Sequence, residues 1–361
     1  MRHGLIPNMA AALSSGAGLA LLSALLFGAS TPLAKLLLRD VDPWMLAGLL
    51  YLGSGLGLVA VKLVVRLLGS DARREAAIQG GDWMWLALAT LSGGIIGPVL
   101  LMVGLAHTPA TSAALLLNLE GVLTALLAWF VFRENFDRRI ALGMAAIIAG
   151  GLVLTWGGHL TLSAVLGPVM IAGACLAWAV DNNLTRNVSQ ADPVQIALLK
   201  GCVAGVVNVG IAIGLGSALP SLGVLGAAVV VGFAGYGVSL VFFVVALRHI
   251  GTARTGAYFS LAPFFGGMVA VLVLREPVTV QIVAAGSLMA LGVWLHLTER
   301  HEHEHGHEEM AHEHRHVHDE HHQHSHDGTE PLGEPHSHRH VHVQLGHSHA
   351  HLPDIHHRHE H

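Results

Sequence analysis

Glu120 and Asp181 are the two acidic residues that fall well inside long apolar stretches of this sequence, at 110–132 and 163–187. A charged side chain in hydrocarbon costs at least about 2.5 kcal/mol, so each should face a cavity or a partner. Three kinds of chemistry suit them: proton carriage, because protonation neutralises a carboxylate out of water; cation ligation; and counter-charge to a cationic substrate. Polar neighbours accompany both. Asn118 precedes Glu120 by two residues, and Thr124 follows it by one helical turn. Asp181 sits in Trp178-Ala179-Val180-Asp181-Asn182-Asn183-Leu184-Thr185-Arg186, where Asn182 and Arg186 share a helix face. The competing reading is structural, with Glu120 or Asp181 bonded to Lys35, or Asp181 to Arg186, holding helices together. Lys35 and Lys200 lie near the ends of apolar stretches, where a lysine stem can carry its ammonium to the interface; Lys35 is also a candidate substrate contact.

A second group of candidates crowds the C-terminus. His301, His303, His305 and His307 alternate with other residues, as do His312, His314, His316 and His318. His321, His322, His324 and His326 follow, then His336, His338, His340 and His342, then His347, His349 and His351. Imidazoles with interspersed carboxylates suit Zn²⁺, Ni²⁺, Co²⁺ or Cu²⁺, without selecting among them. The segment has few apolar residues to form a core, so it is expected to be disordered and to bind metal. A metal feed to a pore, a regulatory sensor, a buffer and a pH-responsive polyelectrolyte are all compatible with that composition.

The elements that must position these residues follow from composition. Of 361 residues, 53% are hydrophobic and 12% charged. A soluble domain needs about 25% charged residues to cover its surface, so lipid must face most of this chain. Residues 1–300 hold 16 Lys and Arg against 12 Asp and Glu, a formal +4; residues 301–361 hold 3 against 12, a formal −9, with 23 of the 28 histidines. Cys175 and Cys202 lie in apolar runs and form no disulfide framework. A spanning helix takes about 20 apolar residues. That ruler places ten spans near 12–37, 44–68, 83–106, 110–132, 140–157, 163–187, 194–218, 222–247, 252–274 and 278–297. Arg2 and the first apolar run look like a secretory signal, yet the run is needed as the first member of a repeat and should stay. With an even number of spans both termini share one side. Twelve Lys and Arg collect on that side and three on the other, Lys35, Arg39 and Arg275, which predicts cytoplasmic termini.

The repeat is explicit. Leu105-Ala106-His107, Leu119 and Arg133-Glu134 fall on Leu247-Arg248-His249, Leu261 and Arg275-Glu276 at a constant shift of 142 residues. Asp42-Pro43 answers Asp192-Pro193 at a shift of 150. Two homologous halves of five spans have opposite orientation, because five is odd. Inverted repeats of this kind belong mainly to carriers that alternate access around a site near the bilayer midplane. His107 and His249, matched by the duplication, read as interfacial or capping residues.

Phe132-Arg133-Glu134-Asn135 and Leu274-Arg275-Glu276-Pro277, each after a helix rich in small residues, resemble the drug/metabolite transporter superfamily, and more closely its EamA-type permeases. Leu26-Phe27-Gly28-Ala29-Ser30-Thr31-Pro32-Leu33-Ala34-Lys35 is similar to that family's first helix, and Ser260-Leu261-Ala262-Pro263 to its ninth. The resemblance covers about 12–298. It implies an all-α membrane protein of ten helices in two inverted five-helix repeats, here 1–157 and 158–298, followed by the tail 299–361. It does not fix a substrate: such permeases are associated with amino acids, sugars, nucleotide derivatives, amines and drugs. Glu120-Gly121 stands where the second half has Ala262-Pro263, a departure that puts a carboxylate at mid-membrane.

No Gly-rich phosphate loop with Lys-Ser/Thr and no HExxH occurs. The expectation is a gradient-driven secondary transporter, not an enzyme, that needs no cofactor for transport and sits in a bacterial inner membrane. Its expected partners are the lipid bilayer, a small-molecule or metal-ion substrate and a second copy of itself, with no nucleic acid. A small polar metabolite is the leading substrate class, a divalent-metal exporter the alternative, and a membrane metal sensor without transport the third reading.

Overall fold

A computed structural model describes residues 16–68, 78, 80–132, 138–156, 162–185, 188 and 192–297, and gives the backbone of 301–307, 310–316, 336–342 and 345–351. The first half contains α1 (Gly16–Leu37), α2 (Pro43–Leu67), α3 (Asp82–Ala89), α4 (Gly97–His107), α5 (Ala110–Leu116), α6 (Leu119–Phe132) and α7 (Arg138–Thr155). The second contains α8 (Leu162–Thr185), α9 (Pro193–Gly214), α10 (Leu222–Gly232), α11 (Ser239–Phe259), α12 (Ala262–Leu274) and α13 (Val280–Leu297). Among the described residues, nine helical stretches are long and apolar enough to cross a bilayer, and Val280–Leu295 is a shorter tenth. Large apolar side chains such as Leu63, Leu142, Leu152, Val206 and Leu272 point outward, while the interior combines Met45, Leu46, Leu50, Leu101 and Met102 with many alanines and a few polar residues. This is an integral membrane protein with an all-α body, whose backbone groups are paired within helices as hydrocarbon requires.

Local chemistry explains the helix starts. Asp42 accepts from the N–H groups of Trp44 (3.0 Å) and Met45 (3.4 Å), and Asp192 accepts from that of Val194 (2.8 Å). In each case Pro occupies the first turn, where its missing N–H costs nothing. Two π-helical segments interrupt the third and eighth spans, Thr90–Ile96 between α3 and α4 and Phe233–Val238 between α10 and α11. They occupy matched repeat positions, and π-bulges concentrate at functional sites.

The halves also differ. Thr108 turns to an extended backbone (φ −126°, ψ 141°) ahead of Pro109, which ends α4 and starts α5. At the matched position, Ile250-Gly251, a connection was expected, but α11 continues as helix through to Phe259. Gly251 retains the N–H that Pro109 lacks, so the ladder need not break. Both halves then turn within one residue of the next matched point, at Leu117-Asn118 and at Ser260-Leu261.

The principal packing partners lie in opposite halves: α2 with α9, α4 with α8, α5 with α12, α7 with α13, and α1 with α11 and α12. Gly55 and Gly201 bring α2 and α9 into backbone contact, where a Cβ on Gly201 would meet Gly55 N at 2.8 Å. Ser23 and Ser239 join α1 to α11, each hydroxyl donating to the other's carbonyl at 2.7 and 3.0 Å.

The tail, expected to lack regular structure, carries four strands: β1 (His301–His307), β2 (Met310–His316), β3 (His336–His342) and β4 (Leu345–His351). β1 pairs with β4 and β2 with β3, both antiparallel. Strict alternation of histidine with other residues has the period of a strand.

Candidate functional site

Glu120 lies in the first turn of α6, just past the Leu117-Asn118 turn, and Thr124 shares its face one turn later. Facing them is α8, which carries Asp181, Asn182 and Asn183 in consecutive positions. Asn182 is exposed and donates to Glu120 Oε1 (2.9 Å) and Thr124 Oγ1 (3.3 Å). Asn183 is buried and donates to the carbonyls of Ala179 (2.8 Å) and Thr124 (3.3 Å), fixing α8 against α6. One half supplies the carboxylate and the other its donors.

Asp181 points elsewhere on α8. Lys200 of α9 reaches both of its oxygens, at 2.5 and 2.6 Å, and Thr185 donates to Oδ1 at 2.8 Å. With side chains only 9% and 16% exposed, this pair is largely withdrawn from solvent. The first π segment makes room for it: a Cβ on Gly93 would overlap the Asp181 carboxylate. The widened turn leaves Gly93 O to accept from Tyr51 Oη (2.9 Å) and Trp178 Nε1 (2.9 Å), while Ser92 Oγ donates to Ala177 O (2.8 Å). From Tyr51 a line of half-buried rings crosses to the other half: Tyr51–Tyr236 at 5.6 Å, Tyr236–Phe27 at 5.7 Å, Phe27–Phe259 at 5.4 Å and Phe259–Phe243 at 4.9 Å between centroids.

The structure thus groups Glu120, Asn182 and Asn183, with Asp181 beside them on α8. It does not bring in Asn118, which donates to Leu115 O (2.8 Å) and faces Met289 Sδ (3.8 Å) of α13. Lys35 contacts neither carboxylate; its ammonium donates to the carbonyls of Leu105 and Ala106 at the end of α4. Arg186 lies outside the described residues, as do His318, His321, His322, His324 and His326. Among the described residues no cluster of metal-ligating side chains occurs. In the tail, the backbone register sets His301, His303 and His305 opposite His351, His349 and His347, and His312, His314 and His316 opposite His340, His338 and His336. Sequence reasoning left Lys200 as an interfacial lysine and missed the rings. The available cue was that two of the chain's three tyrosines, Tyr51 and Tyr236, stand inside apolar stretches.

Comparison with known proteins supplies the family. Residues 14–156 and 165–298 each match the EamA-like transporter family. An uncharacterized transporter of Methanothermobacter thermautotrophicus is 30% identical over 282 residues, 74% of this chain and 82% of that one. The uncharacterized transporter YyaM of Bacillus subtilis is 25% identical over 249 residues, 66% of this chain and 80% of the other. A probable 4-amino-4-deoxy-L-arabinose-phosphoundecaprenol flippase subunit, ArnE, of Pseudomonas paraeruginosa is 42% identical over 104 residues, 28% of this chain but 86% of its own. A crystal structure with 19% identity and a TM-score of 0.57 covers 78% of this chain and 96% of its own, a likeness of fold. Two family matches in tandem, laid on paired π segments and crossed packing, make this chain a membrane transporter of the EamA-like family, within the drug/metabolite transporters.

Proposed function

We propose that this protein is a gradient-driven carrier of a small polar metabolite, working by alternating access with Glu120 as the group that takes the coupling proton or faces a cationic substrate. One observation carries the reading: every partner described for the Glu120 carboxylate is neutral, whereas Asp181 is matched by Lys200. A carboxylate with no counter-ion among the described residues, beside an exposed Asn182 at the seam of two inverted repeats, is placed to exchange a proton or a substrate cation as the seam opens. The aromatic line offers π faces to such a cation. A relative named for an amine-bearing lipid-linked sugar directs the first substrate tests to amines. The tail and both termini lie in the cytoplasm of a bacterial inner membrane, where the tail binds Zn²⁺, Ni²⁺, Co²⁺ or Cu²⁺ and regulates transport.

A divalent-metal exporter fed by the tail is the second reading, favoured by the histidine-to-histidine register of the strands. It ranks lower because Lys200 already holds both Asp181 oxygens that a Glu120–Asp181 metal site would use. The deciding experiment uses proteoliposomes with an imposed proton gradient and compares amine uptake with Zn²⁺, Ni²⁺ and Co²⁺ flux. Glu120→Gln should reduce proton-coupled amine flux at least about tenfold, the effect of losing about 1.4 kcal/mol. Undiminished coupled flux in that variant removes Glu120 from the mechanism. Metal flux that collapses in it replaces the metabolite reading with the exporter.

A further inference from the structure

The end of the bundle away from the tail contains a cavity of about 350 Å³ lined by Lys35, Leu38, Arg39, Ala106, Leu274 and Glu276. None of these residues belongs to the Glu120 cluster. The cavity closes over the break at Thr108-Pro109, and the two helix ends there use its charges unequally. Lys35 Nζ donates to Leu105 O and, at 3.2 Å, to Ala106 O, among the last carbonyls of α4. Glu276 accepts from the N–H groups of Ala110 (2.7 Å) and Thr111 (2.8 Å), the first two of α5, one bond to each oxygen. Arg275, the one non-glycine residue of positive φ among those described (55°), turns the chain so that Glu276 reaches that helix end.

The resulting charge balance is positive. Both Glu276 oxygens are engaged by backbone amides, while Lys35 bonds neutral carbonyls and retains a third donor. Arg39, in the turn that follows α1, is exposed, and no carboxylate among the described residues pairs with it. Asp40 is adjacent in sequence but does not line the cavity. Two cations face one committed carboxylate in a space at the low end of ligand-site volumes, which run from about 300 Å³.

We propose that this cavity is an anion-binding vestibule, which takes one phosphate or carboxylate group through the Arg39 guanidinium and the free donor of Lys35. Arg39 offers the planar fork that suits such groups, and Lys35 supplies a second point charge. The inference deepens the carrier reading by giving its substrate, or a lipid bound beside it, an acidic group at the mouth. It does not depend on flux.

The test uses the full chain in nanodiscs of neutral phosphatidylcholine, with inorganic phosphate titrated and its phosphorus resonance followed for line broadening. The expected result is broadening that saturates, with affinity at least about tenfold weaker in Arg39→Gln and unchanged in Lys62→Gln, which removes a cation paired with Asp192 elsewhere. Arg39 is the residue to change because Lys35 also caps α4, so its loss would confound binding with folding. Nanodiscs doped with phosphatidylglycerol separate the sources. Broadening that fades as the anionic lipid rises assigns the site to a lipid headgroup, and broadening indifferent to it assigns the site to a soluble anion. No broadening without the lipid, or equal broadening in wild type and Arg39→Gln, overturns the proposal. Because binding is read at equilibrium, a failure here is distinct from a failure of Glu120-dependent flux.

Discussion

At the scale of the residue, what matters is which charge is matched and which is not. Asp181 and Lys200 form a close pair with little solvent, and removing one partner from such a pair strands the other. Lys200→Met or Asp181→Asn alone should cost about 3 kcal/mol, and the double substitution should recover much of it. Thermal unfolding of the four proteins in nanodiscs measures the cycle; additive losses would mean that the two side chains do not interact. The intramembrane carboxylates were legible in the sequence because a charge inside an apolar run has few innocent explanations. The identity of Asp181's partner was not. Lys200 lies 19 residues away on the next helix, and only packing shows that the two faces meet. Asn118 misled for a simpler reason: residues two apart on a helix do not share a face, and a turn intervenes at Leu117-Asn118.

At the scale of the element, the paired π segments shape the site. Gly93 is needed where the first one passes Asp181, because a methyl group there would displace the carboxylate. Gly93→Ala should therefore cost about 1–3 kcal/mol through overpacking and lower the transport rate. Gly210→Ala, where nothing lies within 4 Å of the added Cβ, should be neutral or stabilising by up to about 1 kcal/mol. Melting temperature and flux measured side by side check both. The Asp-Pro helix starts were readable because capping chemistry is local. The π segments were not, since an i→i+5 ladder leaves no composition beyond glycines such as Gly93, Gly94, Gly235 and Gly237. Proline and glycine at matched positions were read alike as helix ends, yet only Pro109 removes a donor and only there does the helix stop.

At the scale of the whole molecule, body and tail are separable by composition alone, and the two-repeat plan by its matched motifs. Deleting residues 301–361 should leave metabolite flux intact while abolishing high-capacity Zn²⁺ binding, as read by calorimetry and uptake on the same preparations. Loss of flux on deletion would make the tail part of the carrier. What composition could not convey is how the halves interlock, with α2 on α9, α4 on α8, α5 on α12 and α7 on α13. This crossing sets an order on assembly. A ribosome delivers α1 to α7 before the helices they need exist, so small-residue faces such as that around Gly55 first lie against lipid. The first half is thus inserted but unfinished, an open mould that only the second half can fill, and commitment to the native packing waits until the last helix has entered the membrane.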